Sequence, residues 1–175
     1  MTDIVVTLIG PDRPGLVEAV AATVAEHGGN WLEGRMAQLA GKFAGILRVE
    51  VPAERAAELT SALGALEKNG LRLIAEIAGP APAAGPSSTM DVELLGLDRP
   101  GLVREVSSVL AARRVNVEAL TTDVYSAPMT ADSMFRARAR VRVPAGVDAA
   151  ELRQSLERLA GDLMVDIRVA EADKK

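Results

Sequence analysis

The chain has 175 residues, of which 49% are hydrophobic and 25% are charged, and its formal net charge is −4. This balance is typical of a globular protein and argues against nucleic acid as a bulk partner. The absence of cysteine excludes disulfides, thiol catalysis and thiolate metal sites. We expect a cytoplasmic protein with no membrane partner, because no apolar run reaches the roughly 20 residues of a bilayer span and the first residues lack a signal-peptide pattern.

The first half of the chain predicts the element order βαββαβ. A β-branched strand at residues 3–9 leads into a helix whose first turn suits Pro14, since the missing N–H costs nothing there. Apolar residues at helical spacing continue to a stop at Gly28 and Gly29. The remaining predicted elements are a hairpin of strands 31–40 and 43–51, a helix over 56–66 closed by Asn69 and Gly70, and a strand at 71–77.

The second half repeats this order after a linker. Residues 79–89 are rich in Pro, Gly and Ala and have no bulky side chain, which predicts a semi-extended connection. We therefore expect domains at 1–79 and 90–171, with a linker at 80–89. The predicted strands of the second domain are 90–97, 117–125, 133–143 and 163–169, and its predicted helices are 100–114 and 149–160.

An internal repeat supports this division. Residues 10–17 have the sequence Gly-Pro-Asp-Arg-Pro-Gly-Leu-Val, and residues 96–103 repeat it with one change at an offset of 86, which Asn30 and Asn116 preserve. The Val-Pro pair at 51–52 recurs at 143–144 with an offset of 92, so the second copy has about six extra residues around 126–131. The order predicts an α+β fold of two ferredoxin-like modules, each a four-stranded antiparallel sheet with two helices on one face.

The repeated motif joins a strand to a helix. A helix start exposes unpaired N–H groups that can hold a carboxylate, and the acidic residue before it either caps the helix or pairs with a ligand ammonium group. Asn30 and Asn116 follow each helix, and we expect their amides to face the same edge of the module. Together these groups suit a zwitterion such as a free amino acid. The alternative is a capped turn with no ligand, since caps and turns use the same residue types.

This motif, followed after a helix by an Asn that opens the next strand, resembles the ACT domain family. Segments 29–33, 41–46 and 126–130 resemble the tandem ACT group that regulates glycine cleavage. The resemblance implies a βαββαβ fold and the binding of a small molecule, with glycine or serine as the expected ligand. Serine-binding members contact the amino acid across a domain interface, through the residue before Arg-Pro-Gly and the Asn of the second strand. They have Asn where this chain has Asp12 and Asp98.

The binding residues expected from the motif and the resemblance are equivalent in the two copies. They are Asp12, Arg13, Pro14, Gly15, Leu16 and Asn30 in the first, and Asp98, Arg99, Pro100, Gly101, Leu102 and Asn116 in the second. The expected mechanism is that an amino acid bridges the helix start of one module and the edge of a neighbouring module, which changes the surface offered to a partner.

No catalytic site, metal site or cofactor is expected. His27 is the only histidine, and the carboxylates form no spaced acid/base pair. We therefore expect a non-enzymatic regulatory protein, a homodimer that acts on transcription through a protein partner such as a transcription factor, without direct contact to nucleic acid. The alternative is a regulatory subunit of a metabolic enzyme.

A strictly alternating strand leaves one further alternative open. Between residues 135 and 143 four arginines share one sheet face, namely Arg136, Arg138, Arg140 and Arg142. Such a row is either a phosphate-binding surface or the solvated face of a sheet. Aromatic residues make up only 2% of the chain, so the stacking platform of a ferredoxin-like RNA-binding module is missing.

Overall fold

The computed structural model describes residues 1–79, 85–128 and 131–172, and these divide into two compact units that match the two sequence copies. The first unit consists of β1 (Thr2–Pro11), α1 (Leu16–Glu26), β2 (Asn30–Leu39), β3 (Lys42–Val51), α2 (Ala56–Ala65) and β4 (Arg72–Ile77). The second consists of β5 (Ser87–Leu97), α3 (Leu102–Ala112), β6 (Asn116–Ser126), β7 (Ser133–Pro144), α4 (Ala149–Leu163) and β8 (Asp166–Glu171).

Each unit has one antiparallel sheet, and the two sheets have the same topology. The strand order is β2-β3-β1-β4 in the first and β6-β7-β5-β8 in the second. Each helical connection crosses over one strand of the sheet before the chain enters its next strand. The first and third strands of each copy therefore lie in the centre. This is the ferredoxin-like fold of an α+β protein, and the predicted fold class is confirmed.

One apolar face of each sheet packs against the helices. In the first module Ile4, Val6 and Leu8 alternate along β1 and are buried with Val20 of α1 and Leu59 of α2. The equivalent positions of the second module enter two smaller clusters around Leu94 and Leu110. The strands β2 and β6, each at one edge of its sheet, are mostly exposed along their length.

Both first helices begin two residues later than predicted. They start at Leu16 and Leu102, because Gly15 and Gly101 before them have φ angles of 88° and 100°. A right-handed helix cannot include a left-handed residue, so the proline belongs to the turn and not to the helix.

Other boundaries also differ from the predictions, among them the start of β8, which is Asp166 and not residue 163. The strand β5 begins at Ser87, so part of the predicted linker is strand, while residues 80–84 lie outside the described residues. Helix α4 continues to Leu163 and ends where Met164 takes a left-handed conformation. In the longer hairpin of the second module, residues 129–130 are likewise not described. None of the helices in the described ranges is long and apolar enough to cross a bilayer.

Candidate functional site

The repeated motif forms the same strand–turn–helix connection in both modules. Where each first strand ends, a backbone hydrogen bond attaches it to the hairpin of the second and third strands. The Asp12 N–H donates to the Gly41 carbonyl at 3.0 Å, and the Asp98 N–H donates to the Ser133 carbonyl at 2.8 Å. The turn that follows is therefore held at one end of the sheet.

The first glycine of each motif is required by close packing. A Cβ at Gly10 would lie 2.9 Å from the carbonyl oxygen of Gly70, and a Cβ at Gly96 would overlap the Val165 side chain. In both modules the neighbouring atoms belong to the segment that enters the last strand. Glycine at this position lets that segment pass against the end of the first strand.

The second glycine of each motif caps the helix without a side chain. The first helical bonds are donated by Ala19 to the Gly15 carbonyl and by Glu105 to the Gly101 carbonyl. The N–H groups of residues 16–18 and 102–104 precede these bonds and have no partner within their helices. No side chain of the described residues caps either helix. The suggestion that the aspartate caps the helix is therefore wrong, because a glycine separated from it by two residues is the N-cap.

The motif arginine connects the turn to the segment between the second helix and the last strand of the module. The Arg13 guanidinium donates to the Asn69 carbonyl, and Nη2 of Arg99 donates to the Leu163 carbonyl at 3.2 Å. Both carbonyls lie just before the last strand of their module. The arginine, which was expected to bind ligand, has a structural partner in each copy.

The other expected residues differ in exposure. Leu16 and Leu102 are buried in the cores, so their side chains face away from the turn surface. Pro14 and Pro100 are exposed. In the first module an open cleft of about 310 Å³ begins at the turn and is lined by Arg13, Pro14, Gly15, Leu16, Ala19, Leu66, Asn69 and Leu71.

A second cleft of about 550 Å³ lies on the other side of the same turn. Sequence reasoning missed its polar lining side chains, which are Lys42, Glu67 and Arg72. They come from the start of β3, the segment after α2 and the start of β4. No local motif connects these three positions. The sheet register brings Lys42 and Arg72 to the end of β1, and Glu67 lines the same cleft from the segment after α2.

The motif aspartates are the polar motif side chains with no structural partner. Asp12 and Asp98 are exposed, and neither carboxylate has a hydrogen bond or ion pair with any of the described residues. The arginine that follows each aspartate donates to a backbone carbonyl and not to the aspartate. Each module therefore presents a carboxylate beside a turn whose other residues are fixed by packing or backbone bonding.

Asn30 and Asn116 lie at the opposite end of the sheet from the motif. Through Glu50, Asn30 aligns with Asp3 at the start of β1, whereas Asp12 follows Pro11 at its end. Eight strand positions separate Asp3 from Pro11, about 27 Å at the usual rise. The prediction that both groups face one edge of the module is wrong, because the helix returns the chain to the end at which β1 began.

The arginine row of β7 is paired with carboxylates throughout. Arg136 binds Asp123 at 2.9 Å, Arg138 binds Glu93 at 2.9 Å and Arg140 binds Asp91 at 3.0 Å, while Arg142 pairs with Glu118. The hydrogen bonds that the Arg136 guanidinium donates to the Asp123 carboxylate are the main cause of the raised pKa of Arg136. This face is a ladder of neutralised charges, which favours a solvated sheet face over a phosphate-binding surface.

The single histidine closes a helix. Its Nδ1 lies 2.8 Å from the Thr23 carbonyl, and His27 is the C-cap residue of α1.

Comparisons with known proteins agree with this architecture. Residues 2–75 match the family model of the ACT domain. The glycine cleavage system transcriptional repressor of Escherichia coli K12 is 26% identical over 163 residues, which cover 91% of this chain and 85% of the relative.

Two solved structures align with nearly the whole chain. The crystal structure of an unknown protein from Galdieria sulphuraria has a TM-score of 0.86 and 28% identity, with 98% of this chain and 99% of the other covered. A putative glycine cleavage system transcriptional repressor has a TM-score of 0.71 and 20% identity, with coverage of 99% and 98%, and this likeness concerns the fold alone.

Proposed function

We propose that the chain is a tandem ACT-domain protein with a non-enzymatic, regulatory role that responds to an amino acid. The match of residues 2–75 to the ACT domain and the 26% identity to the glycine cleavage system transcriptional repressor support this proposal. Its proposed output is regulation of the glycine cleavage system at the level of transcription. The described residues of this chain are taken up by the two ferredoxin-like modules. We therefore assign DNA contact to a protein partner such as a transcription factor.

The unpartnered aspartate of each motif is the observation that supports ligand binding. It stands beside a helix start whose first N–H groups have no partner within the helix. A helix start attracts a carboxylate, while an aspartate attracts an ammonium group. An α-amino acid carries both groups on adjacent carbons. Glycine and serine are the proposed ligands.

The aspartate also sets the orientation of this ligand. A ligand carboxylate placed against Asp12 or Asp98 would be repelled, so the carboxylate belongs on the helix side of the turn and the ammonium group on the aspartate side. Serine-binding members of the family have an uncharged amide at this position. We therefore expect the ammonium group to contribute more to binding here.

Asn30 and Asn116 can contribute only from another module. Within one module the amide is separated from the motif by the length of the sheet. We propose that the protein is a homodimer in which the amide of one copy completes a site on the other copy.

The motif arginine offers a route from the ligand to the rest of the module. It connects the turn to the carbonyl of Asn69 or Leu163, just before the last strand. If the turn has two conformations, a ligand that binds one of them more tightly increases the population of that conformation at the expense of the other. In this way, binding changes the surface offered to the partner protein.

Calorimetric titration of the full chain with glycine and with serine tests amino-acid binding. We expect saturable binding that weakens by about tenfold or more in the Asp12→Asn, Asp98→Asn double variant, because a hydrogen bond to a charged group contributes about 1.5–3 kcal/mol. The matched control is Asp162→Asn on the exposed surface of α4. Absence of heat from the unaltered chain at millimolar glycine and serine contradicts the proposal.

Co-purification tests the output. A transcription factor recovered with the chain in a glycine-dependent manner supports the proposed role. Recovery of a metabolic enzyme instead favours the alternative, a regulatory subunit.

A further inference from the structure

The first module has an exposed apolar patch on the sheet face that points away from the helices. From Ile4 onward the even-numbered residues of β1 are buried, so the odd-numbered residues lie on the outward face. Thr7 is at the middle of this face, between Ile46 of β3 and Ile74 of β4. Ile9, Ile46 and Ile74 are 48%, 46% and 63% exposed. Neighbouring large apolar side chains on an exposed face indicate an interaction surface.

The equivalent face of the second module is charged at its centre. Glu93 follows Thr7 at the offset of 86 and lies between Arg138 of β7 and Arg168 of β8. The register therefore gives the second module two arginines at the positions of the two isoleucines. Charges of this kind suit a sheet face in water, whereas exposed isoleucines suit a face that is covered by a partner.

The charges beside the apolar patch have opposite signs at its two ends. Arg72 and Glu76 lie on the outward face of β4, two positions before and two positions after Ile74. About 13 Å of strand separates them, and neither has an ion-pair partner among the described residues. A two-fold axis that crosses the strands at Ile74 turns a second copy end for end. It places Arg72 of each copy opposite Glu76 of the other, which is the self-complementarity that a two-fold contact requires.

The neighbouring strand β3 has the same pattern. Lys42 and Glu50 lie on the outward face, four positions before and four positions after Ile46. The same two-fold axis therefore also places Lys42 of each copy opposite Glu50 of the other. The remaining two arginines of this face, Arg35 and Arg48, are each paired with a carboxylate of the first module. The charges of the face are thus compatible with a second copy of itself.

We propose that the outward sheet face of the first module binds the same face of a second copy of the chain, with the two sheets turned end for end. The isoleucines of the two copies meet in the middle, and the pairs of Arg72 with Glu76 and of Lys42 with Glu50 flank them. This arrangement brings the Asn30 end of one sheet over the motif end of the other. The inference rests on the homodimer of the proposed function, for which it supplies the interface, and not on amino-acid binding.

Sedimentation equilibrium of the full chain without amino acid tests this interface. We expect a dimer whose dissociation constant rises by about tenfold or more in Arg72→Glu, because the change places two carboxylates opposite each other. The double change Arg72→Glu, Glu76→Arg reverses both charges and should restore the dimer. The matched control Arg168→Glu alters an exposed arginine on the last strand of the second module and should leave the constant unchanged.

Cross-linking locates the contact, because the chain has no cysteine of its own. Sheets that pack face to face lie about 10 Å apart, within reach of a short bismaleimide. Thr7 lies on the proposed axis and meets the same residue of the other copy. Thr7→Cys should therefore give a cross-linked dimer, and Glu93→Cys, the equivalent change in the second module, should not.

The fold of each variant is checked by circular dichroism, and cross-linking at position 7 decides if Arg72→Glu does not fold. A dimer that persists in folded Arg72→Glu, or that the folded double variant fails to restore, overturns this interface and leaves the proposed homodimer in place. Cross-linking through Glu93→Cys but not through Thr7→Cys has the same meaning. A chain that is monomeric at high micromolar concentration overturns both the interface and the homodimer.

Discussion

At the scale of single residues, the repeated motif separates into structural positions and one available side chain. Its two glycines are required by a close approach and by a positive φ angle, and its arginine donates to a carbonyl. The sequence analysis expected the second glycine and the arginine, but not the first glycine, at a ligand. Only the aspartate is left without a partner in the described structure, and both copies retain it.

The close approach at the first motif glycine predicts a loss of stability on substitution. Gly10→Ala forces the Gly70 carbonyl or Leu71 to move, and overpacking of this kind costs about 1–3 kcal/mol. Urea denaturation followed by circular dichroism measures this loss. The matched control is Gly64→Ala in α2, where a Cβ meets no atom within 4 Å. Because alanine favours a helix, the control should stabilise the protein by up to about 1 kcal/mol. Equal effects of the two changes would contradict the packing argument.

Much of the motif's role could be predicted from the residue types. Glycine and proline between a strand and a helix indicate a tight turn, and the turn is there. The partner of the arginine could not be predicted, because Asn69 and Leu163 are more than fifty positions away along the chain. Only the folded module brings them together.

At the scale of elements, the periodic patterns predicted the sheets well. Alternation along β1, β3, β5 and β7 reflects one buried face, which local sequence records directly. The helix starts were displaced, because proline is equally compatible with a first turn and with the loop before it. The predicted position of Asn30 was wrong. The local sequence does not show at which end of the sheet the helix delivers the chain, because this depends on how the whole module folds.

The charge ladder on β7 predicts a specific response to charge reversal. Arg138→Glu places two carboxylates opposite each other with Glu93, and should destabilise the second module by about 0.2–1 kcal/mol, the usual range for an exposed pair. The double change Arg138→Glu, Glu93→Arg should recover most of this loss. Chemical denaturation of the four proteins in a double-mutant cycle measures the coupling.

The same single variant distinguishes the solvated face from a phosphate-binding surface. In a gel-shift assay we expect no complex of the unaltered chain with nucleic acid. A complex that disappears in Arg138→Glu would contradict the interpretation of β7 as a neutralised face.

At the scale of the whole molecule, the duplication is the main source of information. One copy shows what the other retains and what it has changed. The two modules share the motif and the sheet topology but differ on the outward sheet face, where Ile46 and Ile74 are replaced by Arg138 and Arg168. The sequence offset alone identifies the duplication. The consequence of the exchange becomes visible only when the register of the strands is known.

The proposed homodimer predicts complementation between two inactive chains. An Asp12→Asn, Asp98→Asn chain and an Asn30→Ala, Asn116→Ala chain should each bind amino acid weakly. If the amide comes from a second copy, refolding the two chains together creates sites with both groups intact, and calorimetry should show that part of the tight binding returns. Tight binding by the Asn30→Ala, Asn116→Ala chain alone would show that the amides are not part of the site.

A crystal structure of the protein soaked with glycine or serine tests the central claim most directly. We expect density for one amino acid beside Asp12 or Asp98, with its ammonium group on the aspartate and its carboxylate toward the N–H groups at the start of α1 or α3. An empty turn at saturating ligand, or an amino acid bound with its carboxylate against the aspartate, would contradict it.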